Sequence, residues 1–147
     1  MGATPRLIPE FDVTDLDASL AFYRDVVGFR VAYARPEERF ALLEWDGVQI
    51  MLEEAAGPGR RFHTAALERP FGRGVNVQIE VGDVDALLAR VVAAGLRPQL
   101  PLEERWYRRN QRQTGNRQFA LADPDGYLLR FFTDLGERPL AREEGAN

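Results

Sequence analysis

Val13-Thr14-Asp15-Leu16-Asp17-Ala18-Ser19-Leu20 returns 68 residues later as Val81-Gly82-Asp83-Val84-Asp85-Ala86-Leu87-Leu88. Self-similarity at one spacing identifies a chain built from two copies of a supersecondary unit. Each copy opens a helical pattern. Leu16, Leu20, Tyr23 and Val27 follow helical spacing in the first, with Thr14 and Asp17 matching a capping box and Gly28 at the expected C-terminal cap. Val84, Leu88 and Val91 do the same in the second, which ends at Gly95. Asp15 and Asp83 read as helix N-caps.

Upstream of each helix, apolar residues alternate: Leu7, Pro9, Phe11 and Val13 in one copy, Val75, Val77, Ile79 and Val81 in the other. That is the period of a half-buried strand. Downstream, Phe40-Ala41-Leu42-Leu43-Glu44-Trp45-Asp46-Gly47 matches Phe119-Ala120-Leu121-Ala122-Asp123-Pro124-Asp125-Gly126 at an offset of 79. Asp46-Gly47 is a hairpin signal, and Asp123-Pro124-Asp125-Gly126 is turn chemistry between strands. Each half therefore reads as strand, helix and a three-stranded antiparallel meander. The fold class is α+β, with tandem βαβββ modules at 7–54 and 75–135 and a Gly/Pro-rich linker at 55–74, in a single domain spanning 1–147. The change of offset puts 11 extra residues between Leu96 and Phe119, around Trp106-Tyr107.

Composition narrows the chemistry. There are no cysteines, one histidine (His63) and no lysine, all 19 basic residues being arginine. Disulfide scaffolds, thiol nucleophiles, Cys-rich zinc sites, three-histidine metal sites and Schiff-base catalysis are excluded. A net charge of -4 argues against general nucleic-acid binding. No apolar run matches a membrane span or a signal peptide, which points to a cytoplasmic protein.

The duplication, with DLDASLAFYRDVVGF near the start and NRQFALADPDGYLLRF near the end, resembles the vicinal oxygen chelate superfamily of glyoxalases, extradiol dioxygenases and bleomycin-resistance proteins. Ile8-Pro9, the Trp106 segment and Gln118-Phe119-Ala120-Leu121 look most like the bleomycin-resistance branch. The resemblance implies a cupped, incompletely closed sheet with helices outside, and a homodimer in which modules of two chains complete each cup, often with exchange of the first strand. It also implies inward-pointing metal ligands on the first and last strands of each half. Those positions are occupied here by Ile8, Met51, Asn76 and Arg130, which cannot replace His and Glu ligands. No metal and no cofactor are therefore expected, and a binder is favoured over an enzyme.

Strand alternation supplies a candidate lining. Glu10 and Asp12, with Asn76, Gln78 and Glu80 as their repeats, should face the concave side. Phe40, Leu42 and Glu44 should face inward opposite Glu53, Met51 and Gln49, joined by Phe119, Leu121, Leu128, Arg130 and Phe132 from the second half. An apolar, aromatic groove in which carboxylates outnumber arginine suits a flat, cationic small-molecule ligand, and the resemblance implies one of bleomycin type. Alternatively, the carboxylates are solvated strand ends. Trp106 and Tyr107 either stack on a ligand or pin a loop to the core. The neighbouring arginines either clamp an anion or pair with Glu103 and Glu104 at the surface. His63 lacks a paired nucleophile. The competing functional reading is a metal-independent isomerase or lyase using Glu10, Glu53 or Glu80 as general base. A third is a regulatory module whose arginines contact a protein or nucleic acid.

Overall fold

A computed structural model describes residues 4–140. It contains the two expected units in chain order. The first comprises β1 (Glu10–Val13), α1 (Leu16–Leu20), β2 (Arg30–Arg35), β3 (Phe40–Trp45) and β4 (Val48–Glu54). The second comprises β5 (Asn76–Glu80), α2 (Val84–Ala93), β6 (Leu100–Arg109), β7 (Arg112–Ala122) and β8 (Leu128–Pro139). Each forms a four-stranded sheet, ordered β1-β4-β3-β2 and β5-β8-β7-β6. The last strand of each meander returns to lie parallel to the first.

Asp15 and Asp83 cap the helices by accepting backbone N–H bonds from Asp17 and Ala18, and from Ala86, respectively. The expected Thr14–Asp17 capping box does not form. Thr14 instead gives both its backbone N–H and its hydroxyl to Asp125 in the other half. Beyond Leu20 the first helix widens into a π-type stretch over Ala21–Val27, and the N–H groups of both Gly28 and Phe29 reach the Tyr23 carbonyl. Gly28 can close this turn because its φ of 114° is a conformation that a side chain disfavours.

The helix-facing side of both sheets forms one buried cluster, including Phe11, Val13, Leu43 and Leu52 from the first unit and Ile79, Leu87, Phe119 and Phe131 from the second. The Phe11 and Tyr127 rings stack across the junction with centroids 4.3 Å apart. Such a pair adds about 0.5–1.5 kcal/mol beyond the area it buries. Trp45 packs edge-on to Phe29 and tilts toward Phe131, and the Arg90 guanidinium donates to the Val27 carbonyl at 2.6 Å.

The β7–β8 turn carries the polar part of the junction. Asp123 Oδ1 accepts the N–H groups of Asp125, Gly126 and Tyr127, each at 2.9 Å, which holds the turn in shape. Its Oδ2 accepts the Tyr23 hydroxyl. Asp125, 3% exposed, meets Thr14 and the Arg69 guanidinium.

This turn also corrects one expectation. Trp45 pairs with Val48 across two residues, whereas Asp123 and Tyr127 are closed by a backbone hydrogen bond across three. The additional residue puts Phe119 opposite Phe131, and Leu121 opposite Leu129, on the helix-facing side. A one-residue change of register exchanges the faces of a strand. Phe119 and Leu121 are thus core residues, and Gln118 and Ala120 share the concave side with Phe132 and Arg130. The 11 extra residues therefore do not all precede Phe119 as the offset implies: one belongs to this turn, and the others lengthen the β6–β7 hairpin, where Glu103 pairs with Gln118 as Arg35 does with Phe40.

Candidate functional site

On the first half, β3 and β4 pair in the expected register, with Phe40 opposite Glu53, Leu42 opposite Met51 and Glu44 opposite Gln49. The parallel pairing of β1 then sets Glu10 beside Met51 and Asp12 beside Glu53. Carboxylate oxygens of Glu10, Asp12 and Glu53 all lie within 4.8 Å of one another.

Two linker side chains meet this trio. Arg61 pairs with Glu53, which is 5% exposed, and His63 with Asp12. The other oxygen of Asp12, Oδ1, is buried without a hydrogen-bond partner. Glu10 is an exposed residue, yet the partial desolvation of its carboxyl group, with the neighbouring Glu53 hydrogen bond and charge, raises its pKa above the ordinary value. Glu44 stands at the far end of its strand, paired with Arg30 at 3.0 Å. Glu80 lies by the Asp46-Gly47 turn, away from the trio. Phe40 is buried beneath the Arg35 guanidinium, 3.9 Å from its ring centre.

The second half has an open cavity of about 440 Å³ lined by Gln78, Tyr107, Thr114, Asn116, Arg130, Phe132 and Asp134. Asn76 borders it through a 3.4 Å contact to Arg130. Gln118, 2% exposed, lies beneath, and its amide donates to the Tyr107 hydroxyl at 2.7 Å and to Glu103 at 3.0 Å. Trp106 is on the opposite face of the ribbon, between Gly115 and the Arg138 guanidinium. An apolar cleft of about 260 Å³ runs between the halves, bordered by Leu7, Pro9, Val48 and Val77, and shares Gln78 with the larger cavity.

Sequence alternation thus brings Gln78, Arg130 and Phe132 together, and Glu10, Asp12 and Glu53 together. It misses Thr114, Asn116 and Gln118, although their period of two along β7 is the signal that could have found them. The contacts of Arg61 and His63 have no counterpart in any sequence period. Arg112 and Arg117 pair with Glu137, and with Asp85 and Glu104, respectively.

Residues 10–131 match the model of the glyoxalase/bleomycin resistance protein/dioxygenase superfamily. The chain belongs to this superfamily. It is 30% identical, over 87% of its length and 96% of the relative's, to proteins named bleomycin resistance protein from Geobacillus stearothermophilus and Staphylococcus aureus. The crystal structure of TioX from Micromonospora sp. ML1 is similar at a TM-score of 0.69 and 25% identity, covering 89% of this chain and 99% of that one. A virulence protein from Salmonella typhimurium shares the fold, with a TM-score of 0.67 and 15% identity over 90% and 98% of the two chains.

A superfamily scaffold does not fix its chemistry. The positions where this superfamily's resemblance places metal ligands carry Ile8, Met51, Asn76 and Arg130. Isoleucine offers no donor atom, and a guanidinium brings a permanent positive charge, so this set does not fit a dication. Among the described residues, no helix is long and apolar enough to cross a membrane.

Proposed function

We propose that this protein is a metal-free binder that sequesters a small cationic aromatic molecule, with a bleomycin-type glycopeptide antibiotic as the specific candidate. The observation that carries this reading is the convergence of Glu10, Asp12 and Glu53 on one concave face, where three carboxylates face one arginine and one histidine. Cationic groups gain charge-assisted hydrogen bonds from such a cluster. Met51, beside Glu10 in the β1–β4 pairing, adds apolar contact. The names of the 30% identical relatives support the same ligand class. The working form is a homodimer, in which the open strand edges and the exposed Leu7 are covered by a second copy.

Calorimetric titration with metal-free bleomycin tests the ligand. The expected result is saturable binding of one ligand per subunit without turnover. Absence of heat at high micromolar concentration overturns it. Light scattering tests the assembly, and a monomer at micromolar concentration removes the dimer.

The raised pKa of Glu10 favours a second reading, a metal-independent isomerase or lyase in which this carboxylate is the general base. Its mark is turnover with a pH dependence abolished in Glu10→Gln. Ligand binding without any turnover excludes it.

A further inference from the structure

We infer that the cavity on the second half is a site for a planar aromatic carboxylate, with Arg130 as its anion-binding group and Gln118 as the residue that positions it. This goes beyond the cationic-ligand reading and rests on the other sheet.

A guanidinium carries its charge at every physiological pH and is satisfied best by a two-oxygen anion in its own plane. Among the described residues, no carboxylate forms an ion pair with Arg130. Its hydrogen bonds are two long ones of 3.4 Å, to the neutral amide oxygens of Asn76 and Gln118. Bonds of that length leave most of the donor capacity of the fork unspent.

Gln118 is built to hold this arrangement. Both donor bonds of its amide nitrogen go toward β6, one to the Tyr107 hydroxyl and one to Glu103, so its oxygen is turned toward Arg130. Two carboxylates stand near the cavity and keep their charge, but neither pairs with Arg130. Glu103 takes that amide N–H, and Asp134, exposed, takes the Gly136 N–H at 2.7 Å. Phe132 and Tyr107 line the same cavity, whose volume of about 440 Å³ admits a substituted aromatic ring. A fixed cation beside aromatic walls selects a carboxylate carried on a ring over a bare oxyanion and over an amine.

The test is calorimetry on the full chain with benzoate, inorganic phosphate and benzylamine. Benzoate should bind saturably, one per chain, with a Kd of about 1 mM or tighter, phosphate at least about tenfold more weakly, and an equal concentration of benzylamine should not displace the bound benzoate. Arg130→Met should weaken benzoate by about tenfold or more. In case that variant does not fold, amide NMR shifts in the wild type provide a second measurement, and benzoate should move signals of Gln78, Thr114, Asn116 and Gln118. The proposal is overturned by no saturable benzoate binding up to about 50 mM, by equal binding of phosphate, by displacement of benzoate by an equal concentration of benzylamine, by unchanged affinity in a folded Arg130→Met, or by shifts confined to other strands. None of these outcomes depends on bleomycin, so this proposal and the preceding one fail separately.

Discussion

The Tyr23 hydroxyl donates a 2.8 Å hydrogen bond to Asp123 Oδ2, joining residues 100 positions apart in sequence. Both groups are buried, and each belongs to a different copy of the repeat. Burial raises the pKa of Asp123, while the Tyr23 hydroxyl and the turn N–H groups act against that rise.

Tyr23→Phe removes one of the groups that favour the ionised form and leaves a buried carboxylate oxygen short of a donor. The expected loss at neutral pH is about 1–3 kcal/mol. A carboxyl whose folded pKa is raised binds its proton more tightly in the fold, so stability falls as pH rises through the window above the ordinary value of 3.8. The variant raises that pKa further, and its loss should be larger at pH 8 than in the acid part of that window. Urea titrations at the two pH values measure this, and equal losses contradict it.

Asp125→Ala strips partners from the Thr14 N–H and hydroxyl and from the Arg69 guanidinium. A cost of about 2–3 kcal/mol is expected, since the lost bonds involve a buried charge. Asp46, the corresponding residue in the first half, is exposed at its hairpin, and Asp46→Ala should cost less than half as much. Comparable unfolding midpoints for the two variants refute the assignment.

Gly115→Ala places a Cβ 2.7–2.8 Å from ring carbons of Trp106, a distance that cannot be kept. The indole must leave its place beneath Arg138, at a cost of about 1–3 kcal/mol. Tryptophan fluorescence should shift together with the melting temperature. Gly82→Ala meets nothing within 4 Å and should stay within about 0.5 kcal/mol of the wild type.

Binding of a cationic ligand on the first half should weaken as the pH falls through the raised titration of Glu10, because protonation removes one of the converging charges. Glu53→Gln removes two causes of that rise, a hydrogen bond and a like charge, and should bring Glu10 back down. Carboxyl NMR titration reads this directly, and an unmoved Glu10 midpoint counts against the coupling.

Dialysed protein should retain no stoichiometric zinc, nickel, manganese or iron, given Ile8, Met51, Asn76 and Arg130 at the ligand positions. Elemental analysis after dialysis decides it. One metal per chain would require a displaced site, for which Glu10, Asp12 and Glu53 are the available donors.

The repeat made the architecture legible because each copy carries its own caps, alternation and turn residues, and those signals are local. The β3–β4 register was readable for the same reason: a two-residue Asp46-Gly47 turn leaves one way to pair the strands. The faces of β7 were not, because Asp123-Pro124-Asp125-Gly126 signals a turn without stating that three residues separate the closing pair. Thr14 looks like a cap until Asp125, 111 residues away, offers a stronger partner. The Arg61 and His63 contacts depend on where a linker without periodicity comes to rest, and no local pattern encodes that. Trp106 and Tyr107 looked like a loop because the first half has no equivalent length, whereas the extra residues extend two strands.

The two halves are fastened unequally. At one end Thr14 and Tyr23 are bolted to Asp125 and Asp123, while at the symmetry-related end the repeat positions are Gly82 and Val91, which have no side-chain polar group to offer Asp46. Apart from the Arg90–Val27 bond between the helices, the polar fastening of the junction is one-sided, and thermal opening is expected to start beside Asp46 and Gly82 rather than at the Asp123–Asp125 turn. The cleft bordered by Val48 and Val77 thus lies toward the end of the junction with fewer side-chain hydrogen bonds.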